Sequence, residues 1–94
     1  ARRLMARRVV LAGRVQGVGY RDWLVGVARA HGLAGWVRNR RDGTVEALLA
    51  GPTPGIQAVL LECRRGPPAA RVDSIEEALA EDPAEPGFHR LPTL

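Results

Sequence analysis

Nine residues constrain this chain more than any others: Gly13-Arg-Val-Gln-Gly-Val-Gly-Tyr-Arg21. They follow an apolar run, Val9-Val10-Leu11-Ala12, that reads as a strand, and they precede Asp22–Ala28, which has the apolar spacing of a helix. Glycines let a backbone curl tightly, so successive N–H groups converge on one point, and the first turn of a helix adds unpaired N–H groups at its positive end. Arg21 offers a planar, always-charged fork beside them. A strand, a glycine-rich turn and a helix in this order point to a layered α/β chain with a place to hold an anion. On these residues alone an ordinary loop followed by a solvated arginine on a first helical turn explains the pattern equally well. The full GxGxxG spacing and a following βαβ unit of adequate length are missing, which argues against a dinucleotide loop.

Taken in order, the first strand is expected over about Arg7–Gly13 and the first helix over about Arg21–His31, with Leu24, Val27, Ala28 and His31 near one face and Trp23 and Ala30 flanking it. Gly32 is the natural stop, and Leu33 is placed to fold back over the last turn. His31, at the far end of that helix from Arg21, reads as a polar cap or surface residue. Residues 35–40 and 44–50 form two strands joined by Arg41-Asp42-Gly43, the strongest hairpin signal in the chain. Gly51-Pro-Thr-Pro-Gly55 then starts a second helix, on which Ile56, Val59, Leu60 and Cys63 make an i, i+3, i+4, i+7 stripe, and Gly66-Pro67-Pro68 ends it. Cys63 on that stripe reads as a small buried hydrophobe, not a nucleophile.

Residues 70–81 are ambiguous. Ser74-x-x-Glu77 resembles a capping box, and Val72, Ile75 and Leu79 fit helical spacing, so the local pattern slightly favours helix. Layering favours a strand, because three strands and two helices become a complete β-α-β-β-α-β domain when a fourth strand is added. After a loop at residues 82–87, Phe88–Leu91 reads as a short final edge strand with His89 exposed. The expected fold is thus one domain over residues 1–94, an antiparallel sheet covered on one face by two helices, with a short fifth strand.

A second polar feature lies on the 35–40 strand. Trp36, Arg38 and Arg40 alternate with Val37 and Asn39, and an asparagine near mid-strand calls for a reason. Asn39 either satisfies the Asp42-Gly43 turn or, able to donate and accept, positions a water against an anion held by the loop and Arg21.

Charge is unevenly spread. Residues 1–50 carry ten Arg against three acidic residues, a balance of +7, while residues 51–94 carry four Arg against seven, a balance of −3; the sum is the chain's +4. Such a basic half suits a phosphorylated small molecule or a nucleic-acid backbone. Only Tyr20, Trp23, Trp36 and Phe88 are aromatic, which weighs against an extended base-stacking surface. The single cysteine rules out an intrachain disulfide and a cysteine-rich metal cluster. No stretch is apolar enough to cross a bilayer, and the arginine-rich start leads into a strand instead of an apolar signal region, so a cytoplasmic protein is expected.

The two motifs, Gly13–Arg21 and Gly35-Trp-Val-Arg-Asn-Arg-Arg-Asp-Gly-Thr-Val45 with Gly51 after it, together resemble those of the acylphosphatase family, and the similarity extends through Gly66-Pro67 and Arg71-Val-Asp-Ser-Ile75. The resemblance implies a small ferredoxin-like α/β sandwich that hydrolyses acyl phosphates to carboxylate and inorganic phosphate without metal or cofactor. A monomer without a nucleic-acid partner is expected, the alternative being a non-catalytic phosphate- or nucleic-acid-binding module of the same fold. It implies that the backbone of Gln16, Gly17, Val18, Gly19, Tyr20 and Arg21 cradles the phosphoryl group, that Arg21 binds its oxygens, and that Asn39 orients the attacking water. It also implies a strand over residues 70–81. Gly19 stands where a bulkier residue is frequent, and the arginine-rich start is untypical. Similar domains also occur inside larger maturation proteins.

Overall fold

The computed structural model describes residues 6–94. Of the arginine-rich start, Ala1–Met5 lie outside the described residues, and the strand is entered at Ala6. The elements follow as β1 (Ala6–Arg14), α1 (Tyr20–Ala30), β2 (Ala34–Asn39), β3 (Val45–Ala50), α2 (Thr53–Arg65), β4 (Arg71–Ala80) and β5 (Phe88–Arg90). They build one five-stranded sheet in the order β4-β1-β3-β2-β5. The first four strands pair antiparallel, and β5 pairs parallel to β2, so the edge strand makes the sheet mixed.

Alternation along the strands separates the two faces. Val9 and Leu11 of β1, Val37 of β2 and Val45, Ala47 and Leu49 of β3 turn to the helices, where they pack with Leu24 and Ala28 of α1 and Ile56, Val59 and Cys63 of α2. The α2 stripe expected from the sequence is therefore the buried one, with Leu60 packed at its margin. The first helix ends at Ala30, and two residues further on Gly32, with a φ of 68°, lets Leu33 N–H reach back to Ala28 O at 3.0 Å.

The extended β4 resolves the ambiguity of residues 70–81, and the reason for its helix-like spacing is a bulge. Ala12 pairs with Ser74 whereas Gly13 pairs with Val72, so Asp73 is an extra residue in β4. The insertion puts Val72 and Ile75, three apart, on the same face, both partly buried against the core. Gly13 is the counterpart of this bulge: its φ is 129°, and a Cβ there would overlap the Arg71 carbonyl oxygen.

The uncovered face carries a small cluster of Ala6, Leu48 and Ala50 with Trp36 packed against it. Glu46 is buried there, 3% exposed, and accepts from Arg8 Nε and, at 2.8 Å, from Arg38 Nε. Burial pushes the Glu46 carboxyl up, but the two guanidiniums outweigh that and hold it below the ordinary carboxylate range. Arg38 also lies over the Trp36 ring, 4.7 Å from its centroid.

Candidate active site

β1 ends at Arg14 and α1 begins at Tyr20, so Val15–Gly19 must turn the chain from the sheet up to the helix layer. Gly17 and Gly19 do this in left-handed backbone, with φ of 74° and 78°, and Gly19 is the residue immediately before α1. No side chain caps the N-terminus of α1, which leaves its first N–H groups facing the turn. Two side chains anchor this turn. Tyr20 is buried and donates its hydroxyl to Cys63 O at 2.6 Å, fixing the start of α1 to the end of α2. Gln16 Nε2 donates to Arg40 O at 2.7 Å and Thr44 O at 2.9 Å, tying the turn to the β2–β3 hairpin. The Gln16 amide thus braces the loop against the very strand that carries Asn39.

The hairpin supports itself. Asp42 Oδ1 accepts from Thr44 N at 2.9 Å and from Thr44 Oγ1 at 2.6 Å, and these bonds draw the Asp42 carboxyl below its ordinary range. Gly43 N–H closes the turn on Arg40 O at 3.1 Å. The turn makes no use of the Asn39 side chain. Asn39 pairs with Val45 in the ladder and so shares the helix-covered face with Val37, while its backbone oxygen accepts from Leu94 N at 3.1 Å.

A cavity of about 220 Å³ opens where these pieces meet, lined by Gly17, Gly19, Arg21, Asp22, Asn39 and Arg90 among others. Arg21 and Asn39, predicted from separate motifs, are brought together in it. Among the described residues neither side chain hydrogen-bonds to another protein group, so both retain their donors for a ligand. Two further residues were not singled out in the sequence. Arg90 enters from β5, and Asp22, on the first turn of α1, accepts from Arg90 Nη1 at 2.6 Å. Only the spacing of Arg90 two residues after the buried Phe88, on the same face of an edge strand, could have signalled it.

Other cavities do not share this chemistry. A larger one of about 510 Å³ lies at the opposite end of β2, between Ala34, Ala50 and the Asp82–Pro86 loop. Among the described residues no cluster of His, Cys, Asp and Glu is arranged to hold a metal ion. Cys63 is fully buried on α2, and burial pushes its thiol up to about 12, the state of a packing residue and not of a thiolate nucleophile. His31 caps α1 through Val27 O at 3.0 Å, and His89 is exposed and hydrogen-bonded to Pro86 O at 2.7 Å.

Comparison with known proteins decides the family, because the acylphosphatase model matches residues 7–90. The chain belongs to the acylphosphatase family. It is 58% identical over 90 residues to the acylphosphatase of Acidiphilium cryptum, covering 96% of this chain and 99% of that one. To the acylphosphatase of Rhodospirillum rubrum it is 54% identical over 86 residues, covering 92% and 94%. The crystal structure of the Bacillus subtilis acylphosphatase superposes with a TM-score of 0.86 at 34% identity, over 92% of this chain and 97% of that one. A full-length HypF crystal structure in a phosphate- and nucleotide-bound form contains a matching unit, with a TM-score of 0.84 at 26% identity, over 99% of this chain but 12% of that protein. The acylphosphatase fold thus stands alone in some proteins and as a small part of a larger one in others.

Proposed function

We propose that the hydrolysis of acyl phosphates, the reaction for which the family is named, runs in this chain by in-line attack of water on a phosphoryl group held in the Gly17–Arg21 turn. The observation that carries this reading is the convergence, in one cavity, of a glycine turn, an uncapped helix N-terminus and two side chains with free donors, Arg21 and Asn39. The backbone N–H groups of residues 16–21 and the Arg21 guanidinium take the equatorial phosphoryl oxygens, over which the charge is spread in the transition state, and hold the group in line for the attack. Asn39 holds the water on the side opposite the leaving group. A carboxylate is already a good leaving group, so a strong acid is not required. A chain with a single cysteine, which forms no intrachain disulfide, suits a cytoplasmic setting.

A nucleic-acid-binding role is disfavoured by what the basic half does. Arg8 and Arg38 are engaged by Glu46, Arg38 covers Trp36, and Arg29 donates to Phe88 O at 3.2 and 3.0 Å. Three of the ten arginines in that half are therefore engaged in holding the fold. Metal-free hydrolysis of acetyl phosphate, competitively inhibited by inorganic phosphate, is the expected result. Absence of turnover together with steeply salt-dependent binding of an oligonucleotide would overturn the assignment.

A further inference from the structure

The Asp22–Arg90 pair poses a problem that the site itself does not explain. Asp22 puts a carboxylate into the wall of a cavity that is otherwise built for an anion, and it does so on the first turn of α1, where it competes for the same positive helix end. Arg90 is the only described group that neutralises it, through the 2.6 Å bond from Nη1 to Oδ1. Arg90 reaches this point from β5, in register with Val37 and so beside the strand that carries Asn39.

Docking of β5 does not need this pair. The strand is held by the parallel ladder to β2, by Phe88, which is 1% exposed, by Arg29, which donates from two nitrogens to Phe88 O, and by Leu91 N–H on Val37 O at 2.8 Å. The Arg90 and Asp22 side chains are 46% and 71% exposed, a setting in which an ion pair adds little to stability. Both line the cavity, so their charges act on an anion bound in it.

Resting on the site proposed above, we infer that Arg90 tunes substrate binding by cancelling the Asp22 carboxylate that would otherwise oppose the phosphoryl group, so that the pair sets how tightly the anion is held. The interaction is with the charge of the group and is the same before and during the reaction. It therefore acts on KM and on product affinity, and leaves kcat nearly alone.

The test is calorimetric titration with inorganic phosphate, with acetyl phosphate kinetics and melting temperatures on the same preparations. Arg90→Gln leaves the Asp22 carboxylate facing the anion, so the phosphate dissociation constant and KM should both rise about tenfold while kcat stays within about threefold. Arg90→Lys keeps the charge and should retain most of the affinity. Asp22→Asn removes the opposing charge and should tighten phosphate about threefold, the opposite sign. Arg29→Gln, which loosens β5 without touching the cavity, should lower the melting temperature and leave phosphate affinity within about twofold. A role confined to stapling β5 predicts that Arg90→Gln, Asp22→Asn and Arg29→Gln all weaken phosphate together or not at all, and either result overturns the inference. If wild-type protein does not saturate with phosphate, and Arg21→Gln behaves identically, the site assignment falls and takes the inference with it. Saturation of the wild type with unchanged affinity in Arg90→Gln overturns the inference alone.

Discussion

Two groups of arginines in this molecule contrast in what surrounds them. On the uncovered face of the sheet Arg8 and Arg38 close on Glu46, a carboxylate 3% exposed, and Arg38 stacks on Trp36; each of these three charges has a partner. At the loop end Arg21 lies against left-handed glycines and an uncapped helix, with no protein acceptor among the described residues. The difference teaches that formal charge alone does not locate function, since both groups belong to the same basic half of the sequence. A guanidinium that a buried carboxylate already satisfies holds the sheet together, and one left with its donors free beside convergent N–H groups is set for a ligand.

Substitutions in the two groups should therefore separate turnover from stability. Arg21→Lys keeps the charge but loses the planar fork, and turnover on an acyl phosphate should fall by about a hundredfold or more with the melting temperature little changed. Near-native kinetics would erase the contrast. Glu46→Gln should do the reverse, costing on the order of 2 kcal/mol in denaturant unfolding, because two guanidiniums lose their counter-charge, while kinetic constants stay near wild type. Its pH dependence has a fixed sign. The Glu46 carboxyl is held below the 4.5 of the unfolded reference, so its stabilisation is present above about pH 4.5 and is lost as pH falls through the depressed native value. Wild-type stability should drop over that acid window more steeply than that of Glu46→Gln. A smaller effect is expected from Cys63→Ala, a loss of about 1 kcal/mol with activity intact. With the thiol moved from 9.0 up to about 12, its contribution is complete below pH 9 and is lost as pH rises towards 12, so alkaline unfolding should be shallower in Cys63→Ala than in wild type.

The fold was legible where one local pattern ruled. The α2 stripe, the Asp42-Gly43 hairpin and the Gly32 stop each rest on a spacing or a residue with one physical meaning. β4 was not legible locally, because the extra residue Asp73 shifts the alternation and imitates helical spacing. A bulge depends on the partner strand, here on Gly13, sixty residues earlier, and no window along the sequence contains both. The same limit applied to the site. The glycine turn, Arg21 and Asn39 belong to continuous motifs, whereas Gln16 bracing the hairpin and Arg90 reaching Asp22 depend on chain segments that meet only in the folded sheet. The direction of Asn39 was also open until the register with Val45 fixed its face.

The central claim is that the free donors at the loop end do chemistry, and Asn39→Ala addresses it most directly. Phosphate affinity, acyl phosphate turnover and melting temperature should be measured on one preparation of this variant. A water-positioning role predicts phosphate binding within about threefold of wild type, an unchanged melting temperature and turnover lowered about a hundredfold or more. Unchanged turnover in the folded variant, or a loss of turnover that only follows a lowered melting temperature, would contradict it.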